Sequence, residues 1–103
     1  MYKLCFFVPE ADAEPVKTAL FAAGVGRIGD YDQCCWQTLG MGQFRPLAGA
    51  NPHLGQQGQL EKVAELKVEM VCTDALIHTA VATLKQAHPY EEVAYEVYKL
   101  ADI

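Results

Sequence analysis

His88, Pro89, Tyr90, Glu91 and Glu92 set an imidazole, a phenol and two carboxylates side by side. Neutral imidazole with carboxylates held close is the donor set of a borderline divalent ion such as zinc, whereas magnesium prefers an all-oxygen shell. His88, Glu91 and Glu92 are therefore the candidate metal ligands. The same groups suit hydrogen bonding to a small molecule. A second polar segment, residues 49–55, presents Asn51 and His53 in a loop bracketed by glycines. Asn51, His53, His88, Tyr90 and Glu91 together form the candidate ligand-binding set, with a neighbouring subunit supplying one segment if a single chain does not join them. A plainer account stands beside this one. His88 can sit at a helix end with Pro89 as its stop and Tyr90 packed, and a turn built on Asn51-Pro52 explains the other segment. No nucleophile–base–orienter set is visible, so no catalytic residue is assigned.

The elements that must position these groups follow from periodicity. Residues 2–8, YKLCFFV, alternate Leu4, Phe6 and Val8 against Lys3, Cys5 and Phe7 and read as a central strand, with Pro9 ending it. Asp12 is the expected cap of a helix over 13–23, whose stripe is Val16, Ala19, Leu20 and Ala23, with Gly24 as its stop. Asp30 to Gln37 reads as a second strand, which Leu39 to Pro46 can prolong after a bend at Gly40 or Gly42. From Glu61 to Cys72, Ala64, Leu66, Val68 and Met70 face one way and Glu65, Lys67 and Glu69 the other, the pattern of an antiparallel strand with one wet face. Asp74 then caps a helix with the stripe Ile77, Ala80, Val81 and Leu84. Pro89 ends that helix and biases His88 to an extended backbone, and a last strand spans 93–100. His78, off the stripe, reads as solvated.

The order βαβ–βαβ in one sheet predicts a ferredoxin-like α/β sandwich, βαββαβ, an antiparallel sheet with two helices on one face. One such domain spans 1–103. It carries a Gly/Gln-rich arm at about 38–60, long enough for a connection to suggest a functional or interface role. Two helices cover one face of four strands, so the other is wet or buried by another subunit. Phe7, Tyr98 and one of Trp36 or Tyr31 are the large groups expected there, which argues for a homo-oligomer.

The chain has 103 residues, is 51% apolar and carries a formal charge of −5. That field repels phosphates, and Arg27 and Arg45 are its only arginines, which excludes nucleic acid as a partner. No apolar run is long enough to span a membrane, and the first residues do not form a signal peptide. Cys5, Cys34, Cys35 and Cys72 have neither CxxC nor zinc-site spacing, so free thiols in a cytoplasmic protein are expected. The segments GVGRIG (24–29) and GMGQF (40–44) lack the strand-before-helix context of a dinucleotide fingerprint and the Walker lysine, and read as tight turns.

The run GRIGDYDQCCWQTLGMGQFRPLAGANPHLG, then LEKVAELKVEMV, then HPYEEVAYEVYKL, resembles the central PII/CutA-like domain of the Nif-three-like (YqfO-type) family over nearly all of the chain. That resemblance implies the PII/CutA-like version of the ferredoxin-like fold. It also implies oligomers, with a trimer favoured because CutA-like and PII-like domains form compact trimers. The family's dinuclear metal site belongs to flanking domains with no matching positions in this chain, so neither that site nor a hydrolase or cyclohydrolase activity carries over. The expected function is a regulatory or sensor domain binding a small ligand or divalent metal. The alternatives are a protein–protein interaction module without a ligand and, third, a metal-assisted hydrolase.

Overall fold

A computed structural model describes all residues, 1–103. Strand β1, Tyr2–Pro9, runs through the centre because both of its edges are taken. It pairs antiparallel with β3, Glu61–Cys72, setting Leu4 opposite Met70, Phe6 opposite Val68 and Val8 opposite Leu66. On its other side lies β4, Tyr95–Lys99, with Phe6 opposite Tyr95. Strand β2, Trp36–Phe44, pairs antiparallel with the outer edge of β3, giving the order β2-β3-β1-β4. Cross-strand partners share a face, so Leu4, Phe6, Val8, Leu66, Val68, Met70 and Cys72 make one apolar surface.

Helices α1, Ala13–Ala22, and α2, Ile77–Ala87, bury that surface. Val16 and Leu20 of α1 and Ile77, Ala80 and Leu84 of α2 join it in a single core cluster. This is the α/β fold expected of βαββαβ order, with both helices on one side of an antiparallel sheet. Both caps differ from expectation. A 3-10 turn, Glu10–Asp12, leads into α1, and another, Asp74–Leu76, leads into α2; neither aspartate makes a side-chain cap. The Asp74 carboxylate instead meets the N-terminal ammonium.

The second strand starts later than its sequence pattern predicts. Residues 30–35 form a turn and an irregular link, with Ile28 bridged to Tyr31 and Gln33 at φ 54°. What holds the link is Gly26, whose N–H donates to Val71 O at 2.9 Å and whose carbonyl accepts Cys34 N–H at 2.8 Å. A Cβ at Gly26 would lie 2.6 Å from the Cys34 carbonyl oxygen, and its φ is +79°, so glycine is required there. β2 then runs without a break through Gly40 and Gly42, because pairing with β3 rather than side-chain alternation defines it. The first part of the arm is thus strand, and residues 45–60 are the connecting strap.

The β2–β3 hairpin outruns the helices, which leaves Leu39 59% and Met41 69% exposed, and Ala64 exposed as well. The open face of the sheet carries Phe7, Trp36 and Tyr98, as expected; Tyr31 lies in the turn instead. No helix is long and apolar enough to cross a membrane.

Candidate functional site

The end of α2 builds the site. His88 N–H donates to Leu84 O at 2.9 Å, then the backbone turns extended at φ −75°, ψ 138°, as the following proline requires. This swings the imidazole against the Phe7 carbonyl near the end of β1, where it is 5% exposed. Its Nδ1 accepts the backbone N–H of Tyr90 at 3.0 Å, and its Nε2 lies 2.8 Å from the Phe7 carbonyl oxygen. An amide only donates and a carbonyl only accepts, so His88 is neutral with its proton on Nε2. Burial holds its pKa below the ordinary value; the Phe7 bond and the Asp12 charge oppose that shift.

Tyr90 is positioned by that bond and enclosed by rings. Its centroid lies 5.1 Å from His88, 5.8 Å from Phe44 and 6.2 Å from His53, all at steep interplanar angles. The Tyr90 hydroxyl oxygen is buried and has no hydrogen-bond partner. Burial, followed by the charges of Glu65, Asp12 and Glu61, pushes the phenol up to about 12. It stays protonated, a donor with nothing to donate to.

The strap is folded on itself and tied to the body. Gly58 N–H donates to Pro46 O at 2.7 Å, and the Gln57 amide donates to Ala50 O at 3.0 Å. Asn51 N–H reaches Glu91 Oε1 at 3.0 Å, and His53 Nε2 stands 4.0 Å from Asp12 Oδ2. Between the strap, the end of β2 and residues 90–94 lies a cleft of about 430 Å³. Phe44, Pro46, Leu47, Pro52, Leu54 and Tyr90 supply much of its wall, with Arg45, Glu65, Glu91 and Glu92 at its polar points.

The two polar segments singled out in the sequence therefore meet within one chain. His53, Tyr90, Glu91 and Glu92 line the cleft. Asn51 contributes its backbone N–H rather than its side chain, and His88 lies beneath, holding Tyr90. The metal set is not assembled. Both ring nitrogens of His88 are engaged, Glu91 is turned to the Asn51 amide, and no group of three His, Cys, Asp or Glu side chains is placed to hold an ion. A zinc ion at His88 would have to break a buried hydrogen bond first.

Glu65, Asp12 and Phe44 were not among the sequence candidates. Glu65 reads as one more residue on the wet face of β3, yet burial raises its pKa. Its carboxylate lies over Gly42 of the neighbouring strand, where a Cβ would collide with it. It makes no hydrogen bond or ion pair of its own. Only the β2–β3 register reveals this, since the glycine that makes room lies 23 positions away in the chain.

No protein-family model matches the chain. It is 45% identical over 102 residues to a GTP cyclohydrolase 1 type 2 homolog of Halalkalibacterium halodurans, covering 99% of this chain and 27% of that protein. A homolog of the same name from Bacillus subtilis is 42% identical over 96 residues, with 93% and 26% covered. The chain thus spans about a quarter of the length of the curated relatives it matches. Among solved structures, a Bacillus cereus protein related to NIF3 superposes with a TM-score of 0.83 at 40% identity, over 98% of this chain and 26% of that one. CutA from Xylella fastidiosa gives a TM-score of 0.71 at 16% identity, over 98% and 84% respectively, a likeness of fold alone.

Proposed function

We propose that this chain is a CutA-like domain of the Nif-three-like family and, on that footing, a regulatory or sensor domain that binds a small organic molecule in the cleft under the strap. The observation that carries this reading is the buried, unpartnered hydroxyl of Tyr90, a residue that lines a largely apolar cleft. A buried hydroxyl left without a partner costs about 1–3 kcal/mol, and a ligand group that hydrogen-bonds to it would offset that cost. His53, Tyr90, Glu91 and Glu92 are the proposed contact residues; His88 and Asn51 hold Tyr90 and the strap in place. Tyr90 and Glu91 are engaged by backbone and ring contacts, and no nucleophile is paired with a base in the cleft, which supports binding over catalysis. An organic ligand is favoured over a divalent metal because His88 has no free nitrogen. A cytoplasmic setting, in which all four thiols stay reduced, goes with this reading.

Self-association belongs to the same proposal, with a trimer as its expected form. Trp36, Leu39 and Met41 are 59–69% exposed on one uncharged edge strand, and natural proteins seldom leave such an edge bare. If assembly were the whole function, the chain would be an interaction module, the second reading. A fragment screen followed by amide and aromatic resonances decides between the two. Fragments that shift Tyr90 and residues 45–60 together, and lose affinity in Tyr90→Phe, support the ligand reading. A self-associating protein that leaves those resonances untouched by every fragment supports the interaction module.

A further inference from the structure

Resting on the cleft as a ligand site, we infer that it selects organic cations: an ammonium or amidinium group on an apolar, ring-sized body, with Glu65 as the charge partner. Charge, packing and the state of Glu65 converge on that chemistry. Glu65, Glu91 and Glu92 line the cleft against one full cation, Arg45. Asp12 and Glu61 stand near enough that their charges also raise the Tyr90 phenol. Of the lining carboxylates, Glu91 is bonded to the Asn51 amide, whereas Glu65 has no partner, is partly buried, and sits where Gly42 leaves space for it.

The walls suit the rest of such a ligand. Phe44, His53 and Tyr90 present three rings around one corner, and a cation near an aromatic face is attracted by its quadrupole. The oxygen of the protonated Tyr90 hydroxyl can accept a ligand N–H, which satisfies a buried group that has no partner within the chain. An anionic ligand meets the opposite situation, with carboxylates on several sides. Burial pushes the Glu65 carboxyl up, and a bound cation would reverse that shift by replacing lost water with a counter-charge.

Benzamidine, its neutral isostere benzamide and the anion benzoate are the probes, titrated into the full chain at pH 7.5 and followed by Tyr90 and strap resonances. Benzamidine is expected to bind about tenfold or more tightly than either of the others, a margin of about 1.4 kcal/mol. Glu65→Gln keeps the shape and should bring benzamidine down to the level of benzamide while leaving benzamide unchanged. Equal binding of the three probes, or selectivity that survives Glu65→Gln, overturns the cation assignment but leaves the cleft a ligand site. If only other fragments shift Tyr90, the cation assignment falls alone. If none of the probes or fragments shifts it, both the assignment and the ligand reading fall. A folded Glu65→Gln is verified by its far-UV spectrum and its unchanged core methyl resonances; should it not fold, Gly42→Ala, which displaces the carboxylate, is held to the same outcomes.

Discussion

The backbone N–H of Tyr90 donates to Nδ1 of His88 at 3.0 Å, and that bond sets both the tautomer of the imidazole and the direction of the phenol. A protonated His88 would place a hydrogen on each nitrogen and turn Nδ1 from acceptor to donor. Stability and site geometry are therefore linked through one proton.

The sign of the pH dependence follows. Burial holds the folded imidazole below its ordinary value of 6.5, so the unfolded chain takes up the proton first as pH falls. The contribution of His88 is fully present above about 6.5 and is lost as pH drops through the depressed folded value. Glu65 acts oppositely, because its raised folded pKa favours the protonated native form. Urea unfolding at pH 7.5 and 5.5 should therefore show a loss on acidification that is larger in wild type than in His88→Ala. Identical slopes in the two proteins would rule out the neutral buried tautomer.

His88→Ala at pH 7.5 removes two buried hydrogen bonds and leaves a void, so a loss of about 2–4 kcal/mol is expected. Tyr90 should become mobile in the same variant. Phe6→Ala, at the centre of the core and 0% exposed, should cost about 3–5 kcal/mol without touching the cleft first. Denaturant midpoints and Tyr90 ring resonances separate the two effects.

Zinc added to the wild-type protein should leave the imidazole resonances of His88 in place, because neither ring nitrogen is free. A shift of those resonances at stoichiometric zinc would restore the metal reading.

Gly42→Ala is expected to turn the Glu65 side chain away rather than unfold the protein, since the colliding atoms are the far end of a flexible chain. The Glu65 carboxyl should then titrate closer to the ordinary carboxylate range, read from its side-chain carbon shift. No change in that titration would mean that the carboxylate does not depend on the space above Gly42.

Light scattering at low micromolar concentration should return a multiple of the chain mass. A specific interface of more than about 1,000 Å² would cover the exposed Trp36, Leu39 and Met41. Leu39→Glu should release monomers while changing the stability of the monomer by less than about 0.5 kcal/mol. In native protein Cys34 and Cys35 should react with a thiol reagent before Cys5 and Cys72, whose thiols burial has raised.

The fold was legible because its elements announce themselves locally. Alternation marks Leu4, Phe6 and Val8 as an inward row, and the stripe of Ile77, Ala80 and Leu84 marks a helix face; all six are buried. Proline after His88 foretold the extended backbone that the structure shows. Those signals depend only on near neighbours, so a linear chain contains them. What the sequence could not contain is which distant groups share a face or a cleft. Strand β2 has no alternation of its own, and only β3 beside it makes residues 36–44 a strand and sets Glu65 over the bare face of Gly42. His88 carries the chemistry of a metal ligand in isolation; the Phe7 carbonyl, from the first strand of the fold, takes the nitrogen that a metal would need. Residue type determined what each group can do, and the packing of strands and loops far apart in the chain decided which of them is left free to do it.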